Sequence, residues 1–211
     1  MSPQHARQIF EHLRAANPVP QSELLYRGHF QLLIAVILSA QATDKSVNLA
    51  TRELFRVAPT PQAMLKLGLT GLKRHIRTIG LYNAKARAII ATCRILLERH
   101  GGEVPRERAA LENLPGVGRK TANVVLNVAF GEPTLAVDTH VYRVANRTGL
   151  ARGTTPRAVE DGLQQVIPAE FMQHAHHWLI LLGRYICKAR APDCLQCPIA
   201  PWCEYEDKMA P

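Results

Sequence analysis

Long apolar runs are missing from this 211-residue chain. The longest, Leu32 to Leu38, is far too short to span a bilayer, so a helical membrane protein is excluded. The opening residues, Met1-Ser2-Pro3-Gln4-His5-Ala6-Arg7, have no apolar segment behind them; a secretory leader is not expected, and the expected setting is the cytoplasm. Thirteen Gly and fourteen Pro fall without a period, which removes collagen-like and low-complexity classes. Acid is scarce: 17 Asp and Glu stand against 26 Lys and Arg, a net charge of +9. None of those acids falls between 61 and 97, where Lys66, Lys73, Arg74, Arg77, Lys85, Arg87 and Arg94 lie. Such an excess favours a polyanion, either nucleic acid or an anionic membrane surface. Solvated helix faces are the plain alternative.

What is present is helical pattern. With 47% apolar residues the chain can bury one domain or two small ones. Ala6, Ile9, Phe10 and Leu13 share one face of a helix that stops at Asn17-Pro18. Phe30 through Ala42 is apolar all round, as in a helix buried at a domain centre. Thr60-Pro61 and Thr155-Pro156 read as caps followed by proline at the first helical position, opening helices near 61–67 and 156–166. Thr70 can cap another near 71–78. Further helices are expected at 43–55, 83–99, 107–113, 119–130, 139–148 and 169–184, although the β-branched content of 135–144 also admits a strand. The fold class is all-α.

Four of five cysteines, Cys187, Cys194, Cys197 and Cys203, occupy seventeen residues with spacing C-x6-C-x2-C-x5-C. Without an export signal, disulfides are the poorer explanation and a metal centre the better one. Spacing alone leaves zinc and an iron–sulfur cubane equally open. Cys93 lies on a stripe with Ala86, Ile89, Ile90, Leu96 and Leu97 and reads as core. His174, His176 and His177 have no nearby acidic ligand and read as no metal site.

The most informative stretch runs from Leu111 to Ala122. A short helix ends at Pro115, Gly116-Val117-Gly118 turn the chain, and a second helix begins with exposed amides. Glycines without Cβ let a nucleic-acid backbone approach, and the free N–H groups at a helix start suit a phosphate. With Arg119, Lys120 and the global charge, this reads as a helix-hairpin-helix DNA-binding motif at about 107–130. Lys120 falls in the first turn, where the helix dipole and Arg119 disfavour the ammonium form. It is then either a nucleophile toward a sugar C1′ or a plain phosphate contact. Asp138, eighteen residues on, is either the N-cap of the next helix or a carboxylate that stabilises charge developing on the sugar, and the two roles are compatible. His140 reads as a surface residue or phosphate contact.

These residues resemble the bacterial endonuclease III family, the helix-hairpin-helix DNA glycosylase/AP lyases of base excision repair. The resemblance rests on Leu38-Ser39-Ala40-Gln41-Ala42-Thr43-Asp44, Ile79-Gly80-Leu81-Tyr82-Asn83, Leu114 through Asn123, Val137-Asp138-Thr139-His140 and the cysteine spacing. It implies a [4Fe–4S] cluster on Cys187, Cys194, Cys197 and Cys203, in place of zinc. It also implies two lobes: a helical barrel over 20–132, and a cluster lobe from 1–19 plus 133–211, with DNA in the cleft between them. Gln41 would fill the space left by a flipped nucleotide and Leu81 would wedge into the duplex. Gly116, Gly118, Arg119, Thr121 and His140 would contact DNA. Lys120 would attack C1′ with Asp138 as its carboxylate, removing oxidised pyrimidines and cleaving 3′ of the abasic site by β-elimination. The implied protein is a monomer working on duplex DNA at the nucleoid. The adenine-removing branch is disfavoured because 30–43 contains no acid. A non-catalytic hairpin protein with structural zinc is the reading from another class.

Overall fold

The computed structural model describes residues 1–208, and they form two compact units, Ser22–Gly131 and Met1–Gln21 with Glu132 onward. In chain order the helices are α1 (Pro3–Ala16), α2 (Gly28–Ser39), α3 (Asp44–Val57), α4 (Pro61–Ile76), α5 (Tyr82–His100), α6 (Arg108–Glu112), α7 (Arg119–Phe130), α8 (Thr139–Thr148), α9 (Pro156–Val166) and α10 (Ala169–Tyr185). Two single 3-10 turns follow, at Cys194–Gln196 and Ala200–Trp202. There is no strand among the described residues, and 131–138 leads into α8 without regular secondary structure.

Within Ser22–Gly131, α2 is the axis. Every residue from Gln31 to Leu38 is buried, and α3, α5 and α7 pack around it. Leu32, Leu33, Ile34, Ile37, Leu54, Leu72, Ile76, Ile89, Leu96 and Leu126 make one core. Thr43 and Thr60 cap α3 and α4 by accepting from Ser46 and Ala63 amides, each at 3.2 Å, a type of bond that stabilises by about 1 kcal/mol. Gly68, at φ 72° and ψ 171°, interrupts α4 between the two segments that the sequence separates near Thr70. The sequence carries α2 on to Ala42, but it ends at Ser39, and the chain leaves through a turn.

The other unit is nucleated by aromatics. Phe10, Phe171 and Trp178 meet with ring centroids 5.8 to 6.3 Å apart, bringing α1 against α10, and the Trp178 indole N–H donates to the Asn17 carbonyl at 2.8 Å. Thr155 caps α9 through the Ala158 amide at 3.1 Å, with Pro156 at the first position. The α8 helix packs on α10 where Gly183 has no side chain, since a Cβ there would lie 2.9 Å from His140 Cβ.

Candidate nucleic-acid interface and cysteine centre

The hairpin is built from buried leucines and a glycine that nothing larger replaces. Leu111, Leu114 and Val117 anchor it in the core, and the Val117 amide closes on the Leu114 carbonyl at 3.0 Å. Gly116 has φ +81°, and a Cβ on it would sit 3.1 Å from Ala88 and 3.3 Å from Ile37, so conformation and packing both demand glycine. The Thr92 hydroxyl donates to the Pro115 carbonyl at 3.0 Å and ties the turn to α5. Gly118 then begins α7 with no side-chain cap, and a Cβ on it would meet nothing within 4 Å. Arg119, half-buried, Lys120, exposed, and Thr121, nearly buried, make up the first turn. An uncapped helix start with two cations in its first turn is an anion site open to solvent.

Gln41 and Leu81 lie in two adjoining turns of the same unit. Both are exposed and both take left-handed backbone, φ 56° and φ 58°, which non-glycine residues avoid. The turns adjoin at Gly80, where a Cβ would be 3.9 Å from the Gln41 carbonyl oxygen. Between them stands Lys85, which the sequence counts among the basic residues available to a polyanion. It is 7% exposed, its Nζ donates to the carbonyls of Leu38 at 2.8 Å and Ala40 at 2.5 Å, and burial pushes its pKa down. This ammonium takes up carbonyls at the C-terminus of α2, which explains why an apolar pattern running to Ala42 ends as a helix at Ser39. The available signal was a lone cation in register with the Ala86, Ile89, Cys93 core stripe.

Asp138 is the N-cap of α8. Its Oδ1 accepts from the amides of His140 at 2.9 Å and Val141 at 2.8 Å, so one oxygen makes the whole cap and Oδ2 takes no part in it. His140 is half-buried with Nδ1 3.3 Å from Arg143 Nη2. Arg143 also donates to the carbonyls of Gly183 at 2.7 Å and Cys187 at 3.0 Å. One turn on, Arg147 donates to Lys188 O at 2.6 Å and Ala189 O at 3.0 Å, and lies 3.7 Å from Cys187 Sγ. The Glu204 amide closes on the Thr148 carbonyl at 3.2 Å. The helix begun by Asp138 is thus fastened along its length to the segment holding the four cysteines. No motif in the sequence singles out this pair of arginines four apart.

The four cysteines are half-buried and reduced. Burial pushes the Cys197 thiol up to about 11 and raises Cys203 as well; Cys197 also feels the other three sulfurs, and Cys203 feels those of Cys187 and Cys194. Four thiolates gathered in one place require a multiply charged cation. Around one tetrahedral zinc the sulfurs would close to about 3.8 Å from each other. Among the described residues no three Cys, His, Asp or Glu side chains converge on a single ion in that way. Four thiols within mutual electrostatic reach are the donor type that a metal or an iron–sulfur group takes. Cys93 is fully buried in the other unit, with its thiol pushed up to about 12, and is core.

Residues 34–169 match the family model described as HhH-GPD superfamily base excision DNA repair protein. The chain is 62% identical over 202 residues to endonuclease III of Escherichia coli strain K12, covering 96% of each. It is 59% identical over 205 residues to endonuclease III of Rickettsia conorii, covering 97% of this chain and 98% of the relative. Among solved structures, a trapped endonuclease III–DNA covalent intermediate superimposes with a TM-score of 0.90 at 46% identity over 96% of each chain.

Proposed function

The chain belongs to the HhH-GPD superfamily of base excision DNA repair proteins, as a DNA glycosylase/AP lyase of the endonuclease III kind, and on that footing we propose that Lys120 and Asp138 carry its chemistry on oxidised pyrimidines in duplex DNA. One observation carries the reading: an exposed lysine in the first turn of α7, directly after a glycine hairpin whose helix start no side chain caps. The amides of that turn and of Gly116 and Gly118 hold a phosphate, with Arg119 and Thr121 beside them, and fix the sugar next to Lys120. His140, at the start of α8, is assigned a contact to the DNA backbone.

The target nucleotide leaves the stack, at a cost of roughly a few kcal/mol, with Gln41 in the vacated space and Leu81 wedged into the duplex. The neutral Lys120 amine bonds to C1′ as the bond from C1′ to the base breaks, and the base departs with a proton. Opening of the sugar leaves a Schiff base on Lys120. Loss of a C2′ proton then expels the 3′ phosphate, which cleaves the strand. The Oδ2 of Asp138, outside the cap, stabilises positive charge on the sugar and serves the proton transfers. That a relative has been trapped as a covalent intermediate with DNA supports a covalent step.

Cys187, Cys194, Cys197 and Cys203 are the residues that would hold a [4Fe–4S] cluster. When bound, it cross-links the cysteine segment, and Arg143 and Arg147 pass that rigidity to α8 and Asp138. Borohydride reduction on an abasic duplex tests the assignment, on protein whose iron and zinc are measured in the same preparation. A covalent adduct that is lost in Lys120→Gln, from iron-loaded protein, is expected. An adduct that persists in Lys120→Gln would remove the nucleophile from Lys120, and a zinc-loaded active protein would remove the cluster.

A further inference from the structure

We infer that Lys85 is a positioning residue that locks Gln41 and Leu81 into one rigid probe of the duplex; the inference rests on the assignment of those two side chains to the space vacated by the flipped nucleotide. Two side-chain bonds of Lys85 hold the turn of Gln41, and its backbone takes part in the first helical bond of α5, which starts directly after Leu81. The Lys85 ammonium holds the Leu38 and Ala40 carbonyls, the second of which belongs to the peptide that enters Gln41. Its backbone amide holds the Leu81 carbonyl at 3.1 Å. The left-handed backbone at Gln41 and Leu81 is costly for residues with a Cβ and persists only where surroundings dictate it. Lys85 is the element common to both surroundings, and the approach of Gly80 to the Gln41 carbonyl keeps the turns in register.

The chemistry explains why a lysine is used. An ammonium is a compact donor able to serve two carbonyls at once, and the C-terminus of α2 offers it the negative end of a helix dipole in place of a carboxylate partner. A side chain pushed into a base stack transmits force to its own backbone. A turn held only by local hydrogen bonds would yield, whereas one pinned from α5 resists.

The test uses a duplex with a tetrahydrofuran abasic site, which Lys120 cannot attack, and reads the affinity for it relative to the intact duplex. Lys85→Met, of similar length but with no donor, is expected to cut that preference about tenfold, by leaving buried carbonyls unpaired. In a Gln41→Ala background the same substitution should cost less than about twofold, because residues acting through one another are not additive. Fluorescence of 2-aminopurine opposite the abasic site should fall in parallel as the opposite base restacks. If Lys85→Met does not give folded protein, Lys85→Gln, which retains an uncharged N–H donor group on a shorter chain, enters the same cycle. An equal loss in both backgrounds would mean that Lys85 only supports the fold, and would overturn the proposal. If Gln41→Ala and Leu81→Ala both keep the parental preference, the assignment of those two residues fails, and this inference fails with it.

Discussion

The two units divide charge from structure. Ser22–Gly131 contains sixteen Lys and Arg against seven Asp and Glu, so the whole net charge of +9 lies there, while the remainder has ten of each and is neutral. The neutral unit also uses its arginines internally. Arg7, Arg152 and Arg157 pair with Glu170, Glu204 and Asp161, and Arg143 and Arg147 serve backbone carbonyls of the cysteine segment. In the charged unit Arg74, Arg77 and Arg87 stand exposed in a stretch without an acid. One unit is made to attract a polyanion and carries Lys120, and the other is made to hold Asp138 still.

The largest expected effect tests that division. Arg74→Gln, Arg77→Gln and Arg87→Gln together should weaken duplex binding by roughly a hundredfold or more at low salt, and flatten the plot of log affinity against log salt by about one unit for each phosphate left without its arginine. Arg7→Gln, Arg152→Gln and Arg157→Gln should leave that slope unchanged. Equal slopes in the two triple variants, measured by fluorescence anisotropy across a salt series, would erase the distinction.

Much of this arrangement was legible in the sequence, because its signals are local. Thr60-Pro61 and Thr155-Pro156 announce helix starts through their own side chains, and Leu114-Pro115-Gly116 announces a turn through its own backbone limits. The end of α2 was not legible, since its cap is Lys85, 47 residues away in the chain. The same residue shows the limit of counting charge: Lys85 adds to the total of +9 but is buried and committed to carbonyls, so it offers nothing to a phosphate. Asp138 was legible as a cap. That Arg143 and Arg147 tie this cap's helix to the cysteines depends on tertiary packing, which no periodicity records.

The next effect sharpens the comparison through acid. His177, buried on α10, has its pKa lowered to about 4 by burial first, and then by the neighbouring His174 and Arg184 charges. Its folded value is below that of the unfolded chain, so the unfolded state takes up the proton first. Stability is greatest above about pH 6.5 and is lost as pH falls toward 4, by roughly 2 kcal/mol at pH 5. Urea unfolding at pH 7.5 and pH 5 should show this loss, and His177→Gln should remove most of it. An unchanged loss in the variant would place the acid sensitivity elsewhere.

The smallest effect on stability decides the most about mechanism, because the cap made by Asp138 and the charge role proposed for it fall on different oxygens. Asn retains the Oδ1 acceptor and is about as good a cap as Asp, so Asp138→Asn should unfold within a few tenths of a kcal/mol of the parent. Asp138→Ala loses both amide bonds and should cost about 1 kcal/mol. Strand cleavage should follow another order: both variants lose the carboxylate, so both should be slowed, and by similar factors. The stability difference between them measures the cap, and the activity they lose together measures the charge. If Asp138→Asn cleaves at the parental rate while Asp138→Ala does not, the residue is a cap alone, and the neutral unit contributes position without chemistry.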